Sequence, residues 1–497
     1  MTFSLGMPLL VELALFALAV VVLLTGIVGR PYAWRGPRSG PAESSVGRVP
    51  INAATGGPAA AWITLIGLVA IFGLTFLATE GASILRGSFV QDSLAIFAKR
   101  LFIASAALSV LGSLTMRYDA FTRRATEYHF ALVASLLGMS VLASARELVL
   151  LFVAFELMSL PLFLLTGFLK RDAVAPEAAL KFFLVGTASS AVIVYGMSFV
   201  YGITGSTALE AIPAAMAGGH PLMLLGMALL LAGLGFKIAA FPFHMWAPDT
   251  YEAASAPFVA WLSVAPKAAG FIVIIRLFVE GVGAAALIWI PAISVLAGMT
   301  IVTGNFMAIP QQNIKRMLAY SGIAHIGYML VGLAALSSSG VAMMLFYLVA
   351  YMFGNMGAFM VVEAVARSEQ SDGIDAYRGL ARRSPLLALA MLIFLLSLGG
   401  IPFVAGFWAK LYVFWAAIER GLYGLVFLGA VLTVVALYYY LQVARQMYIE
   451  APERQDPVAI PGPLAAAIVA CLIGVVGMGI SPGPWVAMVM RIAETLF

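Results

Sequence analysis

The chain has 497 residues, 63% hydrophobic and only 10% charged, with a mean hydropathy of +1.02 and a formal net charge of +5. Soluble domains carry about 25% charged residues, so the composition excludes a soluble globular fold and describes a polytopic membrane protein. The single Cys471 excludes a disulfide framework and a Cys-ligated iron–sulfur cluster, and the four scattered histidines (His129, His220, His244, His325) suggest neither a metal site nor a bis-His haem.

Windows of about 20 apolar residues predict fourteen spans, near 8–29, 60–78, 92–115, 128–145, 147–169, 177–203, 221–243, 255–279, 284–306, 317–336, 340–366, 385–418, 422–446 and 461–480. The first lacks a basic n-region and a small-residue cleavage site and reads as a mature helix, not a signal peptide. A Pro/Ser/Gly-rich loop, 30–59, follows it. Span five carries Glu156, and span six carries Lys181 one turn after Glu177, either a snorkelling interfacial pair or a point of proton uptake. Span seven has Gly233, Gly235 and Pro242 around Lys237 and is expected to be interrupted; His244, Asp249 and Glu252 follow in a loop, as proton collectors or simply solvated groups. Span eight has Pro266 directly before Lys267, which frees carbonyls beside the lysine. Span ten carries His325, either a proton relay or a packing residue. Span twelve, with Gly399, Gly400 and Pro402 in its middle and Lys410 beyond, is too long for one straight helix and is expected to be two half-helices. The segment from Pro482 to Phe497 is short and amphipathic and is expected at the membrane interface.

Seventeen of the 28 basic residues fall in the loops after odd-numbered spans, against seven on the other side, counting interfacial positions: Arg86, Lys99, Arg100, Arg146, Arg276, Arg420 and Arg491. The positive-inside rule then puts both termini outside. The segments GLGFKIAAFPFHMW and LGGIPFVAGFWAK share glycines, a proline, aromatics and a lysine, and each lies in the fourth span of a five-span group. Five is odd, so the two groups cross the membrane in opposite senses, as in an inverted repeat. The expected architecture is therefore all-α and polytopic, with about 14 spans, two inverted five-helix repeats (spans 4–8 and 9–13) and breaks in spans 7 and 12. Its parts are a three-helix segment 1–127, repeats over 128–279 and 284–448, and a last helix with an interfacial tail over 449–497.

A charge at a helix centre costs roughly 3 kcal/mol. The four inside apolar segments, Glu156, Lys237, Lys267 and Lys410, together cost on the order of 10 kcal/mol, about the net stability of a domain. At ~1.5 Å per residue, Glu156, Lys267 and Lys410 fall near the midplane of a ~30 Å core, in a line along the membrane. Burial makes a lysine easier to deprotonate and a nearby carboxylate reverses that, so Glu156 beside Lys237 reads as a proton switch, with a structural ion pair as the alternative.

The stretches EAALKFFLVG, YGITGST, FKIAAFPFHMWAPDTYEAA, LSVAPKAAGF, QQNIKRMLAYSGIAHIGYML and GIPFVAGFWAKLYVF, within 128–448, resemble the antiporter-like membrane subunits of bacterial NADH-quinone oxidoreductase, respiratory complex I, in wording nearest subunit N. That resemblance implies a proton-pumping subunit of a translocase with no cofactor or metal of its own. NADH, FMN, iron–sulfur clusters and quinone would belong to partner subunits. It implies site residues Glu156, Lys237, Lys267 and Lys410, to which His325 and Lys181 are added from the residues. It further implies neighbours such as subunits M, K and J, a place in the bacterial inner membrane with both termini periplasmic, and no nucleic-acid partner. The alternative is a subunit of an Mrp-type sodium/proton antiporter. TYEAASAP departs from the family, whose N subunits more often have glycine after the glutamate, and the 30–59 loop is longer than usual.

Overall fold

The computed structural model describes residues 8–28, 57–116, 119–169, 174–281 and 286–497. Most of the 30–59 loop, with Arg30, Arg35, Arg38 and Arg48, lies outside the described residues, as do Arg117, Lys170 and Arg171.

Helices α1 (Leu10–Val28) and α2 (Gly57–Leu74) lead to a small antiparallel hairpin, β1 (Ala82–Ile84) and β2 (Phe89–Gln91), the one departure from an all-α fold among the described residues. Asp92 then caps α3 (Ser93–Ser113) by accepting from the Ala95 amide. The first repeat follows: α4 (Asp119–Ser144), α5 (Leu148–Thr166), α6 (Val174–Thr204), a short α7 (Ile212–Ala217), the broken pair α8 (Pro221–Ile238) and α9 (Trp246–Ala253), and the kinked pair α10 (Ala256–Leu262) and α11 (Ala265–Ile274). The second runs through α12 (Ala286–Ala308), α13 (Ile314–Ala334), α14 (Ser338–Glu369), a single turn α15 (Leu380–Arg383), the broken pair α16 (Pro385–Gly399) and α17 (Ala405–Glu419), and α18 (Tyr423–Tyr448). Helix α19 (Gly462–Ile480) and the amphipathic α20 (Gly483–Glu494) end the chain. All fourteen expected spans are helical at their expected places.

The breaks come where the local chemistry forces them. Helix α8 ends on Ala239 in the left-handed region, and Pro242, with no amide hydrogen, follows before α9 begins. His244 stands in this break, whereas Asp249 and Glu252 belong to the short helix α9 and not to a loop. Helix α16 ends on Gly400 (φ 82), whose amide bonds back to Leu396 and Ser397; only glycine adopts that cap conformation without strain. Between α10 and α11 the chain steps aside at Ser263 and Val264, just before Pro266.

Packing follows a matching rule in both repeats. A methyl group on Gly138 of α4 would strike the backbone of Met158 on α5, and one on Gly304 of α12 would strike the backbone of Ala324 on α13. Close approach over small residues is how helices associate where lipid removes the hydrophobic drive. The result is a centre made of α10–α11, α13 and α14, buried almost throughout, inside a ring in which α1, α6, α12, α18 and α19 give most of their surface to the outside.

Candidate functional site

Lys237 sits in the last turn of α8, beside the break, with its ammonium donating to Ser159 Oγ of α5 at 2.8 Å and lying 4.5 Å from the centre of the Phe155 ring. A cavity of about 10 Å³, lined in part by Ser159, Lys237, Trp246 and Pro266, has room for about one water. Glu156, one turn before Ser159, accepts from Ser190 Oγ of α6 at 2.5 Å. It is half-buried in an open groove shared with Thr187, Ser190 and Ser198. Glu156 and Lys237 make no contact ion pair, each being held by its own serine, but Lys237 lies within the electrostatic reach of the Glu156 carboxylate.

Lys267, 1% exposed, begins α11 after the kink. Its ammonium has no hydrogen-bond partner and lies 5.4 Å over the ring of Tyr251 from α9. Gly322 of α13 makes room for it, because a methyl there would come within 3.3 Å of the ammonium and 2.8 Å of the Tyr351 hydroxyl. One turn along α13, His325 Nδ1 bonds the Tyr347 hydroxyl at 2.8 Å and Nε2 the Tyr440 hydroxyl at 3.3 Å, and Tyr440 in turn meets Ser321 at 2.5 Å. Lys410, in α17, donates to the carbonyls of Leu398 (3.0 Å) and Gly399 (3.2 Å) and lies 4.7 Å over the Tyr328 ring. Those carbonyls are left open by the end of α16, and a cation there also meets the negative end of the helix dipole. A left-handed Gly400 is needed here twice, since a Cβ would come within 2.9 Å of the lysine stem.

The structure thus gathers Lys267, His325 and Lys410 around one set of tyrosines, with Lys237 and Glu156 on the other side of the α10–α11 kink. Lys181 is not among them. It is half-exposed at the far end of α6, paired with Glu177 at 2.9 Å and Asp249 at 3.1 Å. Asp249 also holds Arg316 at 2.7 Å, and Glu252 holds it at 2.8 Å. Burial pushes the Asp249 carboxyl up, but hydrogen bonds and charge from Arg316 and Lys181 outweigh it, so Asp249 titrates below the ordinary carboxylate range.

Several functional-looking groups were not singled out from the sequence. Tyr251, Tyr328, Tyr347, Tyr351 and Tyr440 all have hydroxyls or ring faces on the lysine–histidine set. The pair Tyr347 and Tyr351, four residues apart on α14, is a signal the sequence does carry. Lys99, counted above as interfacial, is buried in an ion pair with Glu12 at 2.7 Å, and Ser140 also donates to Glu12. Arg276, counted likewise, is buried and holds Asp92 at 2.7 Å, with Arg146 and Glu280 joined to the same group. Glu363 of α14 is buried with an unpartnered Oε1. Among the described residues no group of three or more His, Cys, Asp or Glu residues is placed to hold a metal ion.

Comparison with known proteins places this architecture. The family model described as NADH:quinone oxidoreductase/Mrp antiporter, TM, matches residues 145–436. The chain is 42% identical over 441 residues to NADH-quinone oxidoreductase subunit N of Heliobacterium modesticaldum, covering 88% of this chain and 93% of that one. It is 39% identical over 477 residues to the subunit of the same name from Desulforamulus reducens, covering 95% of each. Among solved structures, a chain of respiratory complex I from Thermus thermophilus with bound aureothin matches with a TM-score of 0.78 at 32% identity, covering 96% of this chain and 98% of that one. A chain of the Mrp complex from Dietzia sp. DQ12-45-1b shares the fold alone, with a TM-score of 0.80 at 19% identity over 100% of this chain and 98% of that one.

Proposed function

The chain belongs to the NADH:quinone oxidoreductase/Mrp antiporter membrane family, within its NADH-quinone oxidoreductase subunit N group, and we propose that protons cross it along a midplane line from Glu156 through Lys237, Lys267 and His325 to Lys410. It is a proton-translocating membrane subunit of complex I, with no redox centre evident in it; the redox chemistry that drives it runs in partner subunits that carry NADH, flavin, iron–sulfur clusters and quinone.

One observation carries the proposal. Three lysines, each at most 6% exposed, stand at or just beside the interruptions of the membrane helices, and none makes a contact ion pair with a carboxylate among the described residues. A charge buried for packing would be matched by an opposite charge. A charge that must be gained and lost is better served by neutral partners that hydrogen-bond in either state, as Ser159 and the carbonyls of Leu398 and Gly399 do. The tyrosine hydroxyls between Lys267 and Lys410 both donate and accept, which suits a relay. His325 is the relay between the two lysines. Lys181 belongs to the surface network with Asp249 and Arg316 and gathers protons at the face where α13 begins.

We assign that face to the cytoplasm from the bias of basic residues, which places both termini on the periplasmic side of a bacterial inner membrane. The chain then divides into a three-helix segment to residue 127, repeats over 128–279 and 284–448, and a closing helix and tail. The groove around Glu156 is open at membrane depth, beside the exposed Thr187 and Ser198. Their hydroxyls bond carbonyls of their own helix, but a half-buried carboxylate facing lipid is costly, which supports a neighbouring membrane subunit there, with M, K and J as the expected neighbours.

The test is Lys237→Ala in the assembled complex. Proton pumping coupled to NADH oxidation should be abolished or severely lowered while the complex still assembles. Normal pumping in an assembled variant would refute the role of Lys237.

A further inference from the structure

Helix α14 carries a row of side chains at every fourth position: Tyr347, Tyr351, Asn355, Phe359 and Glu363. Such an i, i+4 row is a single ridge of the helix. It runs for ~24 Å at ~1.5 Å per residue, winding from the His325 level to the end of α14 near the start of α13. Its contacts follow the site downward. Tyr347 bonds His325. The Tyr351 ring lies 5.1 Å from the His325 ring, and its hydroxyl shares the Gly322 gap with the Lys267 ammonium. Asn355 Nδ2 donates to Ser263 Oγ at 2.6 Å, at the kink between α10 and α11. The Phe359 ring lies 6.0 Å from the Tyr251 ring, itself under Lys267. Glu363, 1% exposed, ends the ridge.

Five polar atoms, on this ridge and on the Tyr251 and Lys267 side chains beside it, share one feature. Glu363 Oε1, Asn355 Oδ1, the hydroxyls of Tyr351 and Tyr251, and Lys267 Nζ are all buried without a hydrogen-bond partner. Natural proteins carry only a few such atoms per hundred residues; here three of them, Asn355 Oδ1 and the hydroxyls of Tyr351 and Tyr251, belong to residues packed between a buried carboxyl and a buried amine. Around Glu363 stand Arg367 on its own helix, Tyr128 from α4, and the pair Lys315 and Asp372 at 2.8 Å.

We propose that Glu363 is the carboxyl that takes up a proton from the face where α13 begins and delivers it along this ridge to Lys267. The O–H bond of the Glu363 carboxyl breaks, an N–H bond forms on the neutral Lys267 amine, and a hydronium ion from that face reprotonates the carboxylate. Tyr251, Asn355 and Tyr351 hold the intervening water by donating and accepting. This inference rests on the reading of Lys267 as a midplane relay.

The experiment compares Glu363→Gln, Glu363→Asp and Lys267→Ala in the assembled complex, in inside-out membrane vesicles, reading protons pumped per NADH oxidised against the pH of the exposed cytoplasmic face. Loss of a positioned proton-transfer group costs at least on the order of tenfold in rate, so the Gln variant should fall by about that much. The Asp variant should keep most of the pumping with a displaced pH profile. Wild-type pumping by the Gln variant, or equal loss in Gln and Asp, overturns the proposal. Should the Gln variant not assemble, the Asp variant decides: an assembled, redox-active Asp variant that does not pump overturns it, and one that pumps with a displaced pH profile supports it. If Lys267→Ala pumps normally, the midplane reading falls; if Lys267→Ala is dead and Glu363→Gln is not, only the assignment of Glu363 falls.

Discussion

At the scale of single residues, the three central lysines differ in what holds them. Lys237 has a serine hydroxyl, Lys267 has only the face of a tyrosine ring, and Lys410 has two carbonyls at the end of α16. The last contact makes Lys410 the most demanding of charge sign, because its neighbours are oxygens at the negative pole of a helix. Lys410→Glu would set carboxylate oxygens against the Leu398 and Gly399 carbonyls. It should therefore lose pumping with the complex assembled, while Lys410→Arg, which keeps the cation, retains a measurable part. Dye-quenching of proton uptake by vesicles oxidising NADH reads the difference. A Glu variant that pumps like the parent would mean that any titratable group serves. The charged residues of this set were legible in the sequence because a charge inside an apolar run is a one-dimensional signal. The tyrosines were not, since aromatic residues in membrane helices are ordinary and only packing shows which of them point at a lysine.

At the scale of elements, the two helix breaks are built differently although the sequence around them is alike. The first ends on a left-handed alanine and continues into α9, which ion pairs from Asp249 and Glu252 to Arg316 tie to the start of α13. Asp249 is ionised down to a lower pH than an ordinary aspartate, so its contribution to this tie is present at neutral pH and is lost only as pH falls through that lowered value. The second break turns on Gly400. Gly400→Ala would put a side chain where φ is 82 and a methyl within 2.9 Å of the Lys410 stem. The conformational part of that cost is about 1 kcal/mol, small against assembly, but the displacement falls on Lys410 itself. The expected outcome is an assembled complex with lowered pumping, whereas Gly477→Ala, in the last turn of α19 with nothing within 4 Å, should be neutral or slightly stabilising. Melting and pumping of the two purified variants check this, and equal behaviour would remove the special role of Gly400. The glycines and prolines announced both breaks in the sequence; which carbonyls they free, and for which lysine, depends on how the two half-helices lie against each other.

At the scale of the whole molecule, buried charged groups tie α1 and α3 to each other and to the repeats. Glu12 of α1, Lys99 of α3 and Ser140 of α4 form one such joint, with Gln91 also accepting from Lys99. The Asp92, Arg146, Arg276 and Glu280 group forms another, at the end of the span that carries Lys267. Removing one member of a buried pair strands the other charge at a cost of about 3–5 kcal/mol, whereas replacing both by apolar groups is often close to neutral. Lys99→Met should accordingly lower the melting temperature of the detergent-solubilised complex sharply, and Glu12→Leu with Lys99→Met should recover most of it. A double variant no better than the single would mean that the pair does more than balance charge.

The sequence by itself determined the class of protein, the number and order of spans, the places of both breaks and four of the charged residues, because apolar run length, proline, glycine and isolated charge are local properties. It also carried the family, through motifs spread over 128–448. Only the tertiary structure decided who meets whom. Glu156 and Lys237 couple through charge while each bonds its own serine, and Lys99 and Arg276, read as interfacial from their positions near span ends, turned out to be buried partners of Glu12 and Asp92. Glu363, near the end of a long apolar helix, is set apart by nothing in the sequence around it; only the packing of α4, α13 and α14 encloses it. The physical reason is common to all of these: whether a polar group in a membrane helix faces lipid, water or another polar group depends on the rotation of its helix against its neighbours, and that rotation is set by contacts between residues far apart in the chain.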